Sequence, residues 1–160
     1  MKDLPCRPGA RRVRAMVAEG EHLCQDFKYA ISDPCKIARS LSAFANHAGG
    51  RLLIGVKDNG DLAGVRNEED VYIVEQAAQA YCRPPLSVDF QAYSIDASTR
   101  IIVATVEACT PPVEARDASG RWHPYYRVAD EHIAAHPLLA AAWRLRTNND
   151  ALILSDRHTR

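Results

Sequence analysis

Nowhere in the 160 residues does an apolar run approach the roughly 20 that a membrane helix needs. The opening Met1-Lys2-Asp3-Leu4-Pro5 has no apolar core of a signal peptide behind its lysine. Both absences set the expectation of a soluble, cytoplasmic protein with no membrane partner. No C-x-x-C pair occurs either. The five cysteines, Cys6, Cys24, Cys35, Cys82 and Cys109, are odd in number and widely and irregularly spaced, which argues against a disulfide framework and a zinc site and for free thiols. No charge of one sign dominates: 20 Lys and Arg balance 20 Asp and Glu, so there is no global basic signature of the kind that attracts nucleic acid. Gly-Lys-Ser and Gly-Lys-Thr are missing, which excludes a P-loop. Internal repeats and low-complexity segments are also lacking.

What is present suits one hydrophobic core, since 47% of the residues are apolar in a chain of single-domain length. The charge is unevenly spread. Residues 1–51 carry about 9 basic against 5 acidic side chains, and residues 52–140 about 7 against 13, so a basic face is expected from the first third.

The first nine residues, polar and Pro-rich, are expected to form a flexible segment. Val13, Met16 and Val17 then make a helical stripe beside Arg11, Arg12 and Arg14, ended by Gly20. Residues 22–29 alternate as a strand, with Leu23, Gln25 and Phe27 on one side and Cys24, Asp26 and Lys28 on the other. Asp33-Pro34 is a helix start, and Ile37, Leu41, Phe44, Ala45 and Ala48 follow at helical spacing until Gly49-Gly50. Residues 52–56 read as a central strand, Asn59-Gly60 as a hairpin turn, and residues 62–65 as its return strand. A helix from Asn67 buries Val71, Val74, Ala78 and Tyr81 and stops at Arg83-Pro84-Pro85. Strands are expected at 86–90, 101–106 and 122–128, and an Ala-rich helix at 130–146, interrupted at Pro137. This order gives a mixed α/β (α+β) fold, a mixed sheet flanked by helices, with the domain at 10–146 and a tail at 147–160.

Glu21, Asp26 and Asp58 are the constellation of most interest. Three carboxylates brought together by a strand and a hairpin can hold one or two divalent cations, which polarise a phosphodiester and activate water; a solvated acidic surface explains the same spacing. Lys28, on the strand face of Asp26, can meet a phosphate or neutralise that carboxylate. Arg11, Arg12 and Arg14, joined by Lys36, Arg39 and Arg51, form the candidate phosphate footprint, with an ordinary solvated helix face as the alternative. The glycines at 49, 50, 55, 60 and 64 read as structural. His132 and His136 have i, i+4 helical spacing, but no third zinc ligand is suitably placed.

Three blocks in order, Glu21-His22-Leu23-Cys24-Gln25-Asp26-Phe27-Lys28, then Leu41-Ser42-Ala43-Phe44-Ala45-Asn46 with Gly49-Gly50, then Leu53-Ile54-Gly55-Val56-Lys57-Asp58-Asn59-Gly60 with Gly64-Val65, resemble the Schlafen Alba-like domain. Pro124-Tyr125-Tyr126-Arg127-Val128 is similar to the late strand of that family. The resemblance implies a nucleic-acid-binding domain, described in bacteria as a DNA-binding or transcription-regulator module. In the vertebrate Schlafen endoribonucleases three carboxylates form a metal-dependent nuclease site, and the resemblance carries that role, with Mg²⁺ or Mn²⁺ as cofactor, onto Glu21, Asp26 and Asp58. Asp26 departs from the family's usual Glu. The shorter side chain withdraws the carboxylate by about 1.5 Å against a metal-ligand tolerance of about 0.2 Å. A non-catalytic interaction module with the same fold is the alternative. The vertebrate core pairs two such lobes, so a homodimer is expected here, with Leu138, Leu139, Ala142 and Trp143 as a candidate interface.

Overall fold

The computed structural model describes residues 4–128, 131–134, 138, 141, 142 and 145. Its longest buried element is the helix opened by Asp33, whose Oδ1 accepts a hydrogen bond from Cys35 N at 2.9 Å, with Pro34 at the first helical position. This helix, α2 (Pro34–Ala45), buries Ile37, Ala38, Leu41 and Phe44 to 2% exposure or less. Ser40 and Ser42 are buried as well. A helix buried nearly all round needs a layer on each side, and two sheets supply them.

The larger sheet contains β1 (Cys6–Pro8), β2 (Gln25–Lys28), β3 (Gly50–Ile54), β5 (Asp89–Ser94) and β6 (Arg100–Val106), in the order β1-β5-β6-β3-β2. β2 runs parallel to β3 and β1 to β5; the other pairings are antiparallel. The smaller, antiparallel sheet has the order β4-β7-β8-β9, from β4 (Cys82–Arg83), β7 (Glu114–Arg116), β8 (Trp122–Val128) and β9 (Glu131–Ala134).

Helix α1 (Ala10–Ala18) covers one face of the larger sheet, where Val13 packs with Phe27, Leu53, Tyr93, Ile101 and Val103. Helices α2 and α3 (Glu69–Ala80) cover the other, through Leu41, Phe44 and Val74 against Leu52, Ile54, Ile102 and Ala104. The smaller sheet closes over the far side of α2. Ser42 Oγ donates to Val113 O at 2.7 Å and accepts from Tyr125 N at 3.1 Å. Asn46 donates to the carbonyls of Val113 and Tyr125, both at 2.9 Å, and accepts from Val113 N at 2.7 Å. The mixed α+β architecture is the expected one, and no helix among the described residues is long and apolar enough to cross a membrane.

Several elements differ from expectation. Cys6–Pro8 is an edge strand rather than a free segment, and its proline sits where no inward ladder bond is lost. The central strand starts at Gly50, two residues early, and its return strand shrinks to one bridge, Val56 to Leu62. Gly55, at φ +100°, explains the break: a Cβ there would lie 2.7 Å from the backbone of Gly64 and Val65. The strand expected at 86–90 begins instead at Asp89. At the C-terminal end, Glu131–Ala134 forms β9, not the start of a helix, because pairing with β8 overrides alanine-favoured helicity. His132 therefore sits on a strand, not on the expected helix. His136, Pro137, Leu139, Trp143 and the tail at 147–160 lie outside the described residues, and Leu138 and Ala142 are exposed.

Candidate nucleic-acid interface

Strand β2 is an outer strand of the larger sheet, and its parallel pairing with β3 uses the backbone of its even-numbered residues: Arg51 N donates to Cys24 O and Gly55 N to Lys28 O. The odd-numbered residues turn their backbone outward. There Gln25 exchanges two hydrogen bonds with His22, at 3.0 and 3.1 Å, and Phe27 N donates to Glu21 Oε1 at 3.0 Å. Glu21 therefore covers an outer-edge N–H, the usual liability of an exposed strand.

The same alternation sends Phe27 toward α1 and Asp26 toward the smaller sheet. Asp26 is only 4% exposed. Lys28 Nζ lies 2.9 Å from its Oδ2, near enough to pair although not aligned for a hydrogen bond. His132 Nε2 lies 3.5 Å and Arg127 Nη1 3.8 Å from the same oxygen. The Arg127 side chain has no solvent exposure, and its guanidinium sits 5.0 Å over the Phe44 ring. His132 Nε2 also lies 2.8 Å from Ser40 Oγ. A fully buried guanidinium requires anionic company, and Asp26 supplies a carboxylate to it.

Burial and the hydrogen bond with Asp26 push the Glu21 carboxyl up to about 7, against the opposing Phe27 N–H. Burial acts the same way on Asp26 but is outweighed by hydrogen bonds from His132 and Glu21 and by the Lys28 charge, which hold it well below the usual carboxylate range. Below about pH 7 the pair thus holds one proton, on Glu21, with Asp26 ionised.

Asp58 lies on a cavity wall. It is exposed in the turn after β3 and lines a cavity of about 390 Å³ with Lys28, Tyr29, Lys36 and Ile37, whereas neither Glu21 nor Asp26 lines that cavity. Among the described residues no three of His, Cys, Asp and Glu are grouped to hold a metal ion. The oxygen of Asp26 that a cation would need already faces Lys28 and Arg127. As placed, Glu21, Asp26 and Asp58 do not fit Mg²⁺ or Mn²⁺.

The seven basic candidates divide. Lys28 and Lys36 line the cavity at the start of α2. Arg11 and Arg12 line a separate groove of about 740 Å³ with Met16, Glu19 and Arg51, where Arg51 is paired with Glu19 and Arg12 Nη1 reaches Tyr93 Oη at 3.3 Å. Arg14 is exposed and Arg39 half-buried, and neither lines the cavity or the groove.

Sequence reasoning missed two further cations at the cavity mouth. Lys57 Nζ lies 5.0 Å and Arg66 Cζ 5.5 Å from the centre of the Tyr29 ring. Lys28, Lys36, Lys57 and Arg66 therefore gather around one half-exposed tyrosine beside an apolar floor of Phe27, Ile31 and Ile37. The available signal was the hairpin: a turn that brings residues 57–66 back beside β3 also brings their cations beside its neighbour β2. Arg127 was missed too, although an arginine at an inward position of an alternating strand calls for a buried carboxylate.

A family model described as Schlafen, AlbA_2 matches residues 21–136. No curated protein matches the chain.

Proposed function

The chain belongs to the Schlafen, AlbA_2 family, which is associated with nucleic-acid binding, and on that premise we propose that it binds nucleic acid by its phosphate backbone at the cavity beside Tyr29. One observation carries this reading. Lys28 and Lys36 line this cavity and Lys57 and Arg66 lie over the ring of the Tyr29 that lines it, four cations against the carboxylates of Asp33 and Asp58, in a chain of zero net charge. An excess of like charge held together is self-repelling, and a polyanion relieves that repulsion. Arg11 and Arg12 offer a second set of phosphate contacts at their own groove.

Glu21 and Asp26 serve this site as architecture: one covers the outer edge of β2 and the other neutralises Arg127 while orienting Lys28. This favours a binding domain over a nuclease built on Glu21, Asp26 and Asp58. Cleavage of tRNA in Mg²⁺ or Mn²⁺ that disappears in both Glu21→Gln and Asp58→Asn would restore the ribonuclease reading. A transcription-regulator role requires preference for duplex DNA. Fluorescence anisotropy with labelled single-stranded RNA, tRNA and duplex DNA, at about 50 and 200 mM salt, tests the proposal, because phosphate binding weakens steeply over that range. Binding that falls with salt supports it. No binding at the lower salt would leave the interaction-module alternative in its place.

A further inference from the structure

The smaller sheet has two unlike faces. Toward α2 it presents Cys82, Ala115, Tyr125 and Arg127, all buried. The register places Arg83, Glu114, Arg116, Trp122 and Tyr126 on the opposite face, with Arg83 beside Glu114 and Arg116 beside Trp122. The Arg83 guanidinium lies 4.6 Å over the Trp122 ring; its side chain is 57% exposed, and its Nη2 is 3.1 Å from Glu114. Arg116, also exposed, places its guanidinium 5.8 Å over the Tyr81 ring. Trp122 and Tyr126 are half-buried. None of these residues lines the cavity beside Tyr29, which belongs to the larger sheet.

We infer that this outer face is a stacking platform for single-stranded nucleic acid, on which an unpaired base extends the Trp122–Arg83 stack while Arg116 faces the adjoining phosphate. The inference rests on the nucleic-acid reading above and goes beyond it by naming the substrate class. A guanidinium plane lying on an indole offers a flat, polarisable surface to a base and leaves N–H groups at its edge for phosphate oxygens. Glu114 is already engaged by Arg83, and Arg116 with the exposed Arg121 sets the local charge toward a polyanion. A duplex keeps its bases stacked inside and cannot use such a surface, so single strands are selected. A protein hot spot, by contrast, sits in a desolvated pocket, whereas this tryptophan lies on an open sheet among exposed charges.

The test compares full-length wild type, Arg83→Lys and Trp122→Leu for anisotropy-detected binding to a labelled oligouridine and to a duplex of equal length, at one salt concentration, with thermal melting as the control for folding. Arg83→Lys keeps the charge and loses the plane, so it is decisive even if Trp122→Leu unfolds. The platform predicts that Arg83→Lys weakens oligouridine binding about fivefold or more with duplex binding unchanged, the scale of one lost stacking contact. Oligouridine affinity equal to wild type, or equal losses on both probes, overturns the platform while leaving phosphate binding beside Tyr29 intact. Wild type that binds neither probe overturns both readings. Self-association of the wild type by light scattering that Arg83→Lys abolishes would assign the face to a protein contact instead.

Discussion

Replacing Asp26 with asparagine removes one charge and almost no volume, and its effect on stability distinguishes an architectural carboxylate from a metal-site one. In the fold described, Asp26 is 4% exposed and lies 3.8 Å from Arg127, whose side chain has no exposure at all. Losing this anion takes away a charge partner of a buried guanidinium, and breaking such a pair from one side costs about 3–5 kcal/mol. His132 at 3.5 Å and Lys28 at 2.9 Å lose the same partner, but Lys28 is partly exposed and recovers hydration. Urea denaturation of Asp26→Asn should therefore show an unfolding free energy lowered by about 3 kcal/mol or more, seen as a lower midpoint at an unchanged slope. Removing both charges together, as Asp26→Asn with Arg127→Met, should return much of that loss, because exchanging a whole buried pair for neutral groups is often close to neutral. A cluster of carboxylates awaiting a cation behaves oppositely, since deleting one anion relieves repulsion and stabilises the metal-free protein. A stabilised Asp26→Asn, or one within about 0.5 kcal/mol of wild type, refutes the counterion assignment.

Other consequences can be measured separately. The Glu21 carboxyl, raised from 4.5 to about 7, contributes no loss below pH 4.5 and weakens the fold as pH rises through 7, whereas the lowered Asp26 contributes stability above 3.8 that is lost on acidification. Glu21→Gln keeps the neutral hydrogen-bonding form. It should remove the decline between about pH 4.5 and 7, about 1–2 kcal/mol after allowing for solvent screening at this half-exposed group, and an unchanged decline would contradict the shared-proton arrangement. Asn46→Ala loses three hydrogen bonds that tie α2 to Val113 and Tyr125, and should cost about 2–3 kcal/mol in thermal or urea unfolding. Gly55→Ala places a Cβ 2.7 Å from the backbone of Gly64 and Val65 at φ +100°, and should destabilise by more than about 1 kcal/mol; wild-type stability would show that the two segments separate easily.

The parts of this fold that were legible in the sequence are those specified locally. Asp33-Pro34 with apolar residues at helical spacing marks α2 because cap, proline and stripe all act within one element. Strands β4 and β7, two and three residues long, were not legible, since they exist only through pairing with each other and with β8. β9 reads as helix for the same reason: it opens an alanine-rich stretch that favours a helix locally, and only pairing such as Tyr126 with Ile133 holds it extended. The site divides along this line. Alternation in β2 correctly separated Phe27 from Asp26 and Lys28, but the partners that set the role of Asp26 come from Arg127 and His132, about a hundred residues later. Three acids close to turns suggested a cation cage. The fold instead gives one of them a guanidinium, another an unpaired strand edge, and the third a cavity wall.

The account depends most on the cations around Tyr29. The measurement that reaches them directly is the salt dependence of RNA binding by wild type and by the Lys36→Ala, Lys57→Ala, Arg66→Ala triple variant, each an exposed side chain whose loss leaves the core untouched. Wild type should show log affinity falling linearly with log salt, and the triple variant should bind more weakly with a slope shallower by about 2 units, since each lost phosphate contact on a single strand removes about 0.7. A triple variant with the wild-type slope and affinity would contradict the account, leaving Tyr29 and its neighbours as an ordinary solvated surface.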